Sequence, residues 1–116
     1  MAGKGDTFEN DLMKLIFQAT AIANMADNAA SSPLTNLYVA LHTADPTDSG
    51  AQNASEAAYT GYARVAVART SGGWTVTGNS VSPVANIDFG ECTASPGSNL
   101  THWSVGVASS GASKIL

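Results

Sequence analysis

Hydrophobic and polar positions alternate most clearly about a third of the way along the chain. Leu37, Val39 and Leu41 are each separated by one smaller or more polar residue. A period of two residues is typical of a β-strand that buries one face. Pro46 fixes its own backbone and restricts the geometry of Asp45, so we expect the strand to end there. This strand is predicted to be the centre of the β core.

The same alternation returns several times towards the C-terminus. Glycine- and serine-rich turns separate the alternating segments, and Gly78-Asn79 predicts a tight turn or a bulge within the region 74–81. Short strands with closely spaced turn signals are typical of an antiparallel β-sandwich or barrel-like sheet. The chain is therefore predicted to be mainly β. The further strands and extended pieces are predicted in the regions 61–69, 74–81, 87–89, 100–107 and 114–116.

One amphipathic helix is predicted before the strands, over residues 6–24, behind a flexible segment at residues 1–5. Asp6 is a suitable N-cap, and Glu9 follows it at capping-box spacing. Apolar residues then recur at intervals of three and four, which is typical of one helix face. The apolar arc is wide, so the helix either covers only its own core or also contacts a partner. The candidate contact residues on it are Phe8, Leu12, Met13 and Phe17.

Residues 44–60 are predicted to form a long polar loop. Connections of this length without regular structure are uncommon in compact domains and are usually functional or mobile. We therefore expect surface contacts at this loop and its border, with Asp45, Asp48, Tyr59 and Tyr62 as candidates. Arg64 and Arg69 lie at opposite ends of the following strand. They are predicted to pair with loop carboxylates within or between chains, which adds Arg64 to the candidate interface.

The last predicted strand, Lys114–Leu116, leaves a sheet edge with a single charge beside it. Free edges invite pairing with another chain unless they are blunted by charge, bulge or proline. Ile115 and Leu116 are therefore candidate interface residues, and the chain is predicted to form a homo-oligomer.

Composition predicts one domain spanning residues 1–116 and a surface of low charge. Hydrophobic residues make up 44% of the sequence and charged residues only 12%. A neutral surface rich in small residues suits a protein that packs against neighbours. The net charge of −4, without a basic stripe, predicts no nucleic-acid binding. No apolar run reaches the length of a membrane span, and no signal peptide is evident, so we expect no membrane partner and synthesis in the cytoplasm.

No motif in the sequence predicts catalysis, a metal or a cofactor. His42 and His102 are the only histidines, and Cys92 is the only cysteine. A metal site needs three or four converging ligands, and their spacing is absent. His102, Ser104 and Asp88 have the composition of a catalytic triad, but no nucleophile-elbow context surrounds the serine. The predicted catalytic, cofactor-binding and metal-binding residues are therefore none.

Aromatic residues offer one further test of function. Strand tryptophans are usually buried, so Trp74 and Trp103 are both predicted to lie mostly in the core. A sugar-binding receptor-recognition module would instead expose both tryptophans together in a groove.

Three segments together resemble a family of small tailed-bacteriophage virion structural proteins, which is often labelled tail-fibre-like. The first segment is LYVALHTADP at residues 37–46 and the second is YTGYARVAV at residues 59–67. The third is THWSVG at residues 101–106, followed by SSG at residues 109–111. The helix opening Phe8-Glu9-Asn10 agrees as well, so the resemblance covers nearly the whole chain. It also implies that members of the family continue with β structure beyond the segment that is similar to residues 114–116.

The resemblance implies a non-enzymatic virion protein made in the host bacterial cytoplasm. Its partners would be other virion proteins, either the major capsid protein or tail and connector proteins. Small size, low charge and an open edge favour a capsid decoration or cement protein that stabilises the head through many modest contacts. The alternative is a tail, tail-fibre or head–tail connector component whose sheet edges stack into a ring or trimer.

Overall fold

The computed structural model describes residues 3–29, 32–94 and 97–116. Within these residues the chain is mainly β, with a short N-terminal helix, as the sequence predicts. The strands lie in two sheets, a three-stranded sheet with the order β2-β1-β5 and the antiparallel hairpin β3–β4. The chain divides into two compact units, Met1–Asn36 with Val67–Asn86 and Leu37–Ala66 with Ile87–Leu116. The elements are α1 (Asp6–Gln18), β1 (Asn36–His42), β2 (Val65–Ala68), β3 (Trp74–Thr77), β4 (Ser80–Pro83) and β5 (His102–Gly106).

The start of helix α1 differs in detail from the prediction. Gly5 is the N-cap and no side chain caps the helix, so the predicted capping box with Asp6 as N-cap is wrong. Asp6 and Glu9 instead lie in the first helical turn. Negative charge in the first turn interacts favourably with the positive end of the helix dipole, so these two acidic residues stabilise the helix. Of the predicted flexible residues 1–5, Met1 and Ala2 lie outside the described residues.

The helix ends at Gln18, so its predicted extension to Asn24 is wrong. Ala19, the C-cap residue, adopts a left-handed conformation with φ of 54°. The N–H of Thr20 then donates to the carbonyl of Lys14 in the last turn of the helix. A left-handed residue just after the last turn is a common way to end a helix. The chain then makes a small turn in which Ile22 and Ala26 pair their backbones.

The hairpin β3–β4 forms one side of the unit that contains α1, and the helix packs on it. Trp74 is only 3% exposed and packs edge-on against Phe17, with 5.0 Å between ring centroids. Two side-chain amides of the helix also bind the hairpin. Gln18 donates to the carbonyl of Trp74 and Asn10 donates to the carbonyl of Gly78, each at a distance of 3.0 Å. Gly78 has φ of 61° at the predicted tight turn.

Strand β1 is the central strand of the three-stranded sheet, as predicted. Its Leu37, Val39 and Ala40 are all buried. It pairs with β5 in antiparallel register, from Tyr38 opposite Gly106 to His42 opposite His102. The sheet core of this unit is therefore built around β1.

Several of the predicted strands are shorter in the structure than the alternation suggests, and one is absent. The region 61–69 forms strand only over Val65–Ala68, and residues 87–89 form no strand. The predicted strand at residues 114–116 is a single bridge, in which Ile115 pairs with Gly106. Alternation marks residues that can extend, but a strand also needs a partner along its whole length. Part of the outer edge of β5 is therefore occupied by the chain itself.

Trp103 does not follow the prediction for tryptophans. Its side chain is 69% exposed, whereas Trp74 is buried. Trp103 lies near the start of β5, opposite the half-buried Leu41. The sequence pattern assigns a face to each strand residue, but it does not say which end of that face is covered.

Residues 44–60 contain no helix or strand, and only an isolated bridge joins Glu56 to His42. The segment nevertheless packs closely on β1. Gln52 and Ala57 are buried within it, and the N–H of Ala57 donates to the carbonyl of Leu41 over 2.8 Å. This segment, which we call the long loop, is thus an integral layer of its unit.

Candidate functional site

A buried ion pair organises the unit that contains the long loop. The Nε of Arg64 donates to Oε1 of Glu56 over 2.7 Å, and its Nη2 donates to Oε2 over 2.8 Å. Only 1% of the Arg64 side chain and 18% of the Glu56 side chain are exposed. Two parallel hydrogen bonds between a guanidinium and a carboxylate form a strong, oriented pair. The prediction that Arg64 pairs with a carboxylate of the long loop is met by this contact.

The remaining guanidinium hydrogens of Arg64 bind the segment before the C-terminal bridge. Nη1 donates to the carbonyl of Ala108 over 2.9 Å, and Nη2 donates to the carbonyl of Gly111 over 2.7 Å. Nη1 also reaches Oγ of Ser113 at 3.4 Å. Arg64 therefore joins the long loop to residues 108–113. We call this group of contacts, with Gln52 and Tyr62 below, the Arg64 cluster.

Gln52 fills the centre of the cluster and is fully buried. Its Nε2 donates to the carbonyl of Tyr38 over 2.7 Å, while its Oε1 accepts from Ser113 Oγ at 2.8 Å and from Arg64 Nη1 at 3.1 Å. Gly106 makes room for it, since a Cβ at that position would overlap the Gln52 amide. A glycine within a strand often marks such a close approach, and this signal was present in the sequence.

Tyr62 completes the cluster on the side of β1. Its hydroxyl donates to Oε1 of Glu56 over 2.9 Å and accepts from the N–H of Leu41 over 3.1 Å. Its ring packs against those of Tyr59 and Phe89, at centroid distances of 5.4 and 6.0 Å. Tyr62 is thus held by polar contacts at one end and by aromatic contacts along its ring.

The pKa values of the cluster reflect these contacts. Burial raises the pKa of Glu56, but hydrogen bonds from Arg64 and Tyr62 and the Arg64 charge outweigh it and lower the pKa overall. The hydrogen bond to Glu56 raises the pKa of Arg64 against the opposing effect of burial. Burial, with the Glu56 hydrogen bond, raises the pKa of Tyr62 to about 12. The ion pair therefore stays charged, and the phenol stays neutral, over the ordinary pH range.

His42 and Ser104 form a second buried polar contact beside the cluster. Nε2 of His42 lies 2.8 Å from Oγ of Ser104, and Nδ1 lies 2.8 Å from the carbonyl of Ala54. A carbonyl only accepts, so Nδ1 carries a proton and donates it to Ala54. His42 is fully buried and Ser104 is 5% exposed, so the pair crosslinks the sheet to the long loop.

Ser104, His102 and Asp88, which have the composition of a catalytic triad, each bind a different partner. Ser104 is bonded to His42, and not to His102. Nδ1 of His102 lies 2.9 Å from Oγ1 of Thr101, and Asp88 accepts from the N–H of Gly90. The alternation in β1 did not identify His42 as a core residue, although its side chain is fully buried.

No group of three or more histidine, cysteine, aspartate or glutamate side chains is placed to hold a metal ion in residues 3–29, 32–94 and 97–116. Asp45 accepts from the N–H of Thr47 over 2.8 Å and so stabilises a turn. Asp48 is exposed. The polar side chains of the Arg64 cluster bind each other and the backbone. These contacts hold the long loop and residues 108–113 in place.

The predicted interface residues divide into surface and interior positions. Phe8 is 36% exposed and Leu116 is 51% exposed, while Arg64 and Tyr62 serve the cluster inside the chain. Asp45 and Asp48 are exposed. The half-buried members of the set are Leu12, Met13, Phe17, Tyr59 and Ile115.

The other arginine differs from its prediction. Arg69 donates from Nε to the carbonyl of Ile16 and from Nη2 to the carbonyl of Leu15, each over 2.6 Å. Nη1 donates to Oδ1 of Asn28 over 2.8 Å. In place of a loop carboxylate, Arg69 binds the electronegative C-terminal end of α1, where a cation is favoured.

A sheet scaffold fixed by internal polar contacts, with low surface charge, fits the class of virion structural proteins. A family model described as Podophage GP4 fiber I protein gp80 matches residues 5–115. The chain therefore belongs to this family of phage fibre proteins, which confirms the resemblance to tail-fibre-like virion proteins. The search of curated proteins and the search of solved structures gave no match. In the part of the chain that the structure describes, no helix is both long and apolar enough to cross a membrane.

Proposed function

We propose that the protein is a non-enzymatic structural component of a phage fibre or of the site where a fibre is attached. The family match over residues 5–115 is the observation that carries this proposal. Its partners are other virion proteins and further copies of itself, and it is made in the host cytoplasm before assembly.

The contacts of the Arg64 cluster support a structural role. A fully buried Gln52 and an almost fully buried Arg64 side chain anchor the irregular loop to the rest of its unit. Such a fixed loop presents one surface to a neighbour, and so less conformational entropy is lost on assembly than with a mobile loop. The ionisable groups converge on each other and not on a cleft, which favours a scaffold over an enzyme.

Capsid decoration is the second candidate. The low charge, 12% of residues, suits a protein packed against a capsid surface through many modest contacts. The fold is compatible with both locations, and the family description favours the fibre.

Copy number separates the two roles. Quantitative mass spectrometry of purified virions should compare this chain with the major capsid protein and with a known tail protein of the same particle. A fibre component is expected in the proportion of the tail protein. A ratio close to that of the major capsid protein would contradict the fibre role and support decoration, and absence from washed particles would contradict both.

A further inference from the structure

Residues 111–116 bind the rest of their unit much as an added strand would. From position 112 onward, exposed and half-buried residues alternate, which is the period of two of a β-strand. Ile115 pairs with Gly106, and the N–H of Leu116 donates to the carbonyl of Val105 over 2.9 Å. The segment therefore extends the sheet at the outer edge of β5.

Polar contacts hold the other end of this segment. The N–H of Gln52 donates to the carbonyl of Ser113 over 2.9 Å, and the Ser113 hydroxyl donates to Oε1 of Gln52 over 2.8 Å. Arg64 donates to the carbonyl of Gly111 over 2.7 Å. The surface that receives the segment, which we call the β5 slot, consists of Gln52, Arg64, Val105 and Gly106.

The β5 slot is unfavourable when it is empty. Gln52 is fully buried, and only 1% of the Arg64 side chain is exposed. Without the segment, Gln52 loses two hydrogen bonds to Ser113 and the guanidinium loses one of its acceptors. Buried polar groups that lose their partners are destabilising. The slot therefore favours an occupant that presents the same groups in the same order.

A second copy of the chain presents exactly those groups, because its residues 111–116 are identical. The segment is also weakly anchored by apolar contacts, since Ile115 is half-buried and Leu116 is 51% exposed. It is joined to β5 through Ser109 and Ser110, which are both exposed. The segment can therefore leave its own slot without disturbing the buried residues of β1.

We propose that residues 111–116 are exchanged between two copies of the chain, each segment filling the β5 slot of the other copy. Ser109 and Ser110 are the hinge, which folds back in the monomer and extends in the exchanged dimer. Reciprocal exchange is isologous and closes as a dimer, and it reuses contacts that the monomer already makes. Copies joined in this way are interlocked. The inference deepens the proposed structural role and rests on it.

A pair of cysteines across the slot shows which copy supplies the segment. Val105 and Leu116 are opposed next to the Ile115–Gly106 bridge, where Cα atoms about 5.5 Å apart lie within the range of a disulfide. The full chain with Val105→Cys and Leu116→Cys, and with Cys92→Ser to remove the natural thiol, is refolded at high concentration and oxidised. Exchange predicts a disulfide between chains and a covalent dimer on a non-reducing gel.

Two controls accompany this experiment. Refolding the same variant at high dilution should give the disulfide within one chain, because exchange needs a second copy. Each single-cysteine variant, also in the Cys92→Ser background, shows how much dimer arises from accidental contact between identical thiols. Peptide mapping of the covalent dimer should recover the bond between positions 105 and 116.

Shortening the hinge tests the inference without cysteines. Deleting Ser109 and Ser110 removes about 7 Å of reach, so the segment no longer folds back onto its own β5 but still reaches a second copy. Short hinge loops favour exchange. Sedimentation velocity should therefore show a shift from monomer to dimer. Ser109→Ala/Ser110→Ala, which keeps the length of the hinge, is the matched control and should retain the natural distribution.

The outcomes separate exchange from the proposed function. A disulfide confined to single chains at every refolding concentration, or a folded hinge deletion that stays monomeric, would overturn the inference. If the hinge deletion does not fold, the cysteine pair in the full chain decides the question. A chain that does not exchange yet is present in virions at the copy number of a tail protein overturns only this inference. Absence from virions overturns the proposed function.

Discussion

Glu56 accepts two hydrogen bonds from Arg64, one on each carboxylate oxygen, and the Arg64 side chain is almost completely buried. The carboxylate comes from the long loop, and the guanidinium also binds the carbonyls of Ala108 and Gly111. Two segments that have no regular structure of their own are thereby fixed by one side chain. This relationship explains how a chain with few strands holds an irregular surface in one conformation.

Replacing Arg64 with Met should lower the free energy of unfolding by about 3–5 kcal/mol, because it leaves the Glu56 carboxylate partly buried without its counter-charge. Chemical denaturation followed by circular dichroism measures this loss. Lys114→Met removes an exposed cation and is the control, with an expected change within about 0.5 kcal/mol. The double variant Arg64→Met/Glu56→Gln should lose less than the sum of the two single changes. Full additivity would mean that the two side chains are not coupled.

The lowered pKa of Glu56 gives the fold an acid-sensitive contribution. Its ordinary value is 4.5, and the folded protein holds the pKa below that. The stabilisation is therefore complete above pH 4.5 and is lost as the pH falls through the lower, folded-state value. Unfolding free energies measured across this acid range should fall less steeply for Glu56→Gln than for the natural chain. Equal slopes would show that Glu56 does not titrate with folding. Asp48→Asn, which removes an exposed carboxylate outside the Arg64 cluster, is the matched control.

The Tyr62 phenol gives an alkaline contribution of the opposite sense. Its pKa is raised from 10.0 to about 12 in the folded protein, so the folded state holds the proton more tightly than the unfolded state. That stabilisation is complete below pH 10 and is lost as the pH rises towards 12. Tyr62→Phe should be less stable at neutral pH, because the Leu41 N–H loses its acceptor, yet its stability should decline less between pH 10 and 12. Spectrophotometric titration of tyrosinate provides a direct check, and a Tyr62 that ionises with the exposed tyrosines of the unfolded chain would contradict the expectation.

Arg69→Gln should fray the end of α1. The guanidinium binds the carbonyls of Leu15 and Ile16, and hydrogen bonds to a charged group contribute about 1.5–3 kcal/mol. Far-UV circular dichroism should show a loss of helical signal with a lower unfolding midpoint. Lys4→Gln removes an exposed cation before the helix and should change neither quantity. An unchanged helical signal in Arg69→Gln would show that Ala19 alone ends the helix.

Gly106→Ala tests how tightly the Arg64 cluster is packed. An added Cβ would overlap the Gln52 amide and would lie 2.7 Å from the carbonyl of Lys114. We expect a loss of about 1–3 kcal/mol in unfolding free energy, which is the usual cost of overpacking. Gly72→Ala, where the nearest atom lies 3.5 Å away on the Thr70 side chain, is the matched control. A Gly106→Ala protein as stable as the natural chain would show that the Gln52 side chain can move aside without cost.

Alternation sufficed to predict β1, because this strand has a strongly apolar face. Alternation and turn composition also predicted the extended region that forms β3 and β4, because the turn between them is local in sequence. The end of α1 could not be predicted in the same way. Arg69 follows directly after β2 and binds carbonyls in the last turn of α1. The periodicity of the helix sequence contains no information about such a distant contact.

The Arg64 cluster was only partly predictable. Pairing between Arg64 and a loop carboxylate follows from charge and position, but the burial of Gln52 does not follow from the polarity of residues 44–60. Polarity indicates exposure only where a group lacks internal partners, and Gln52 has Tyr38, Ser113 and Arg64. Gly106 within β5 was the one local signal of this close packing.

The most direct test is to locate this chain on the intact phage particle. Immunogold labelling with an antibody raised against the folded chain, viewed by electron microscopy of washed virions, should mark the tail fibres or their attachment site. Label spread evenly over the head would contradict the fibre role, and particles without label in which the chain is absent by mass spectrometry would contradict a virion role altogether.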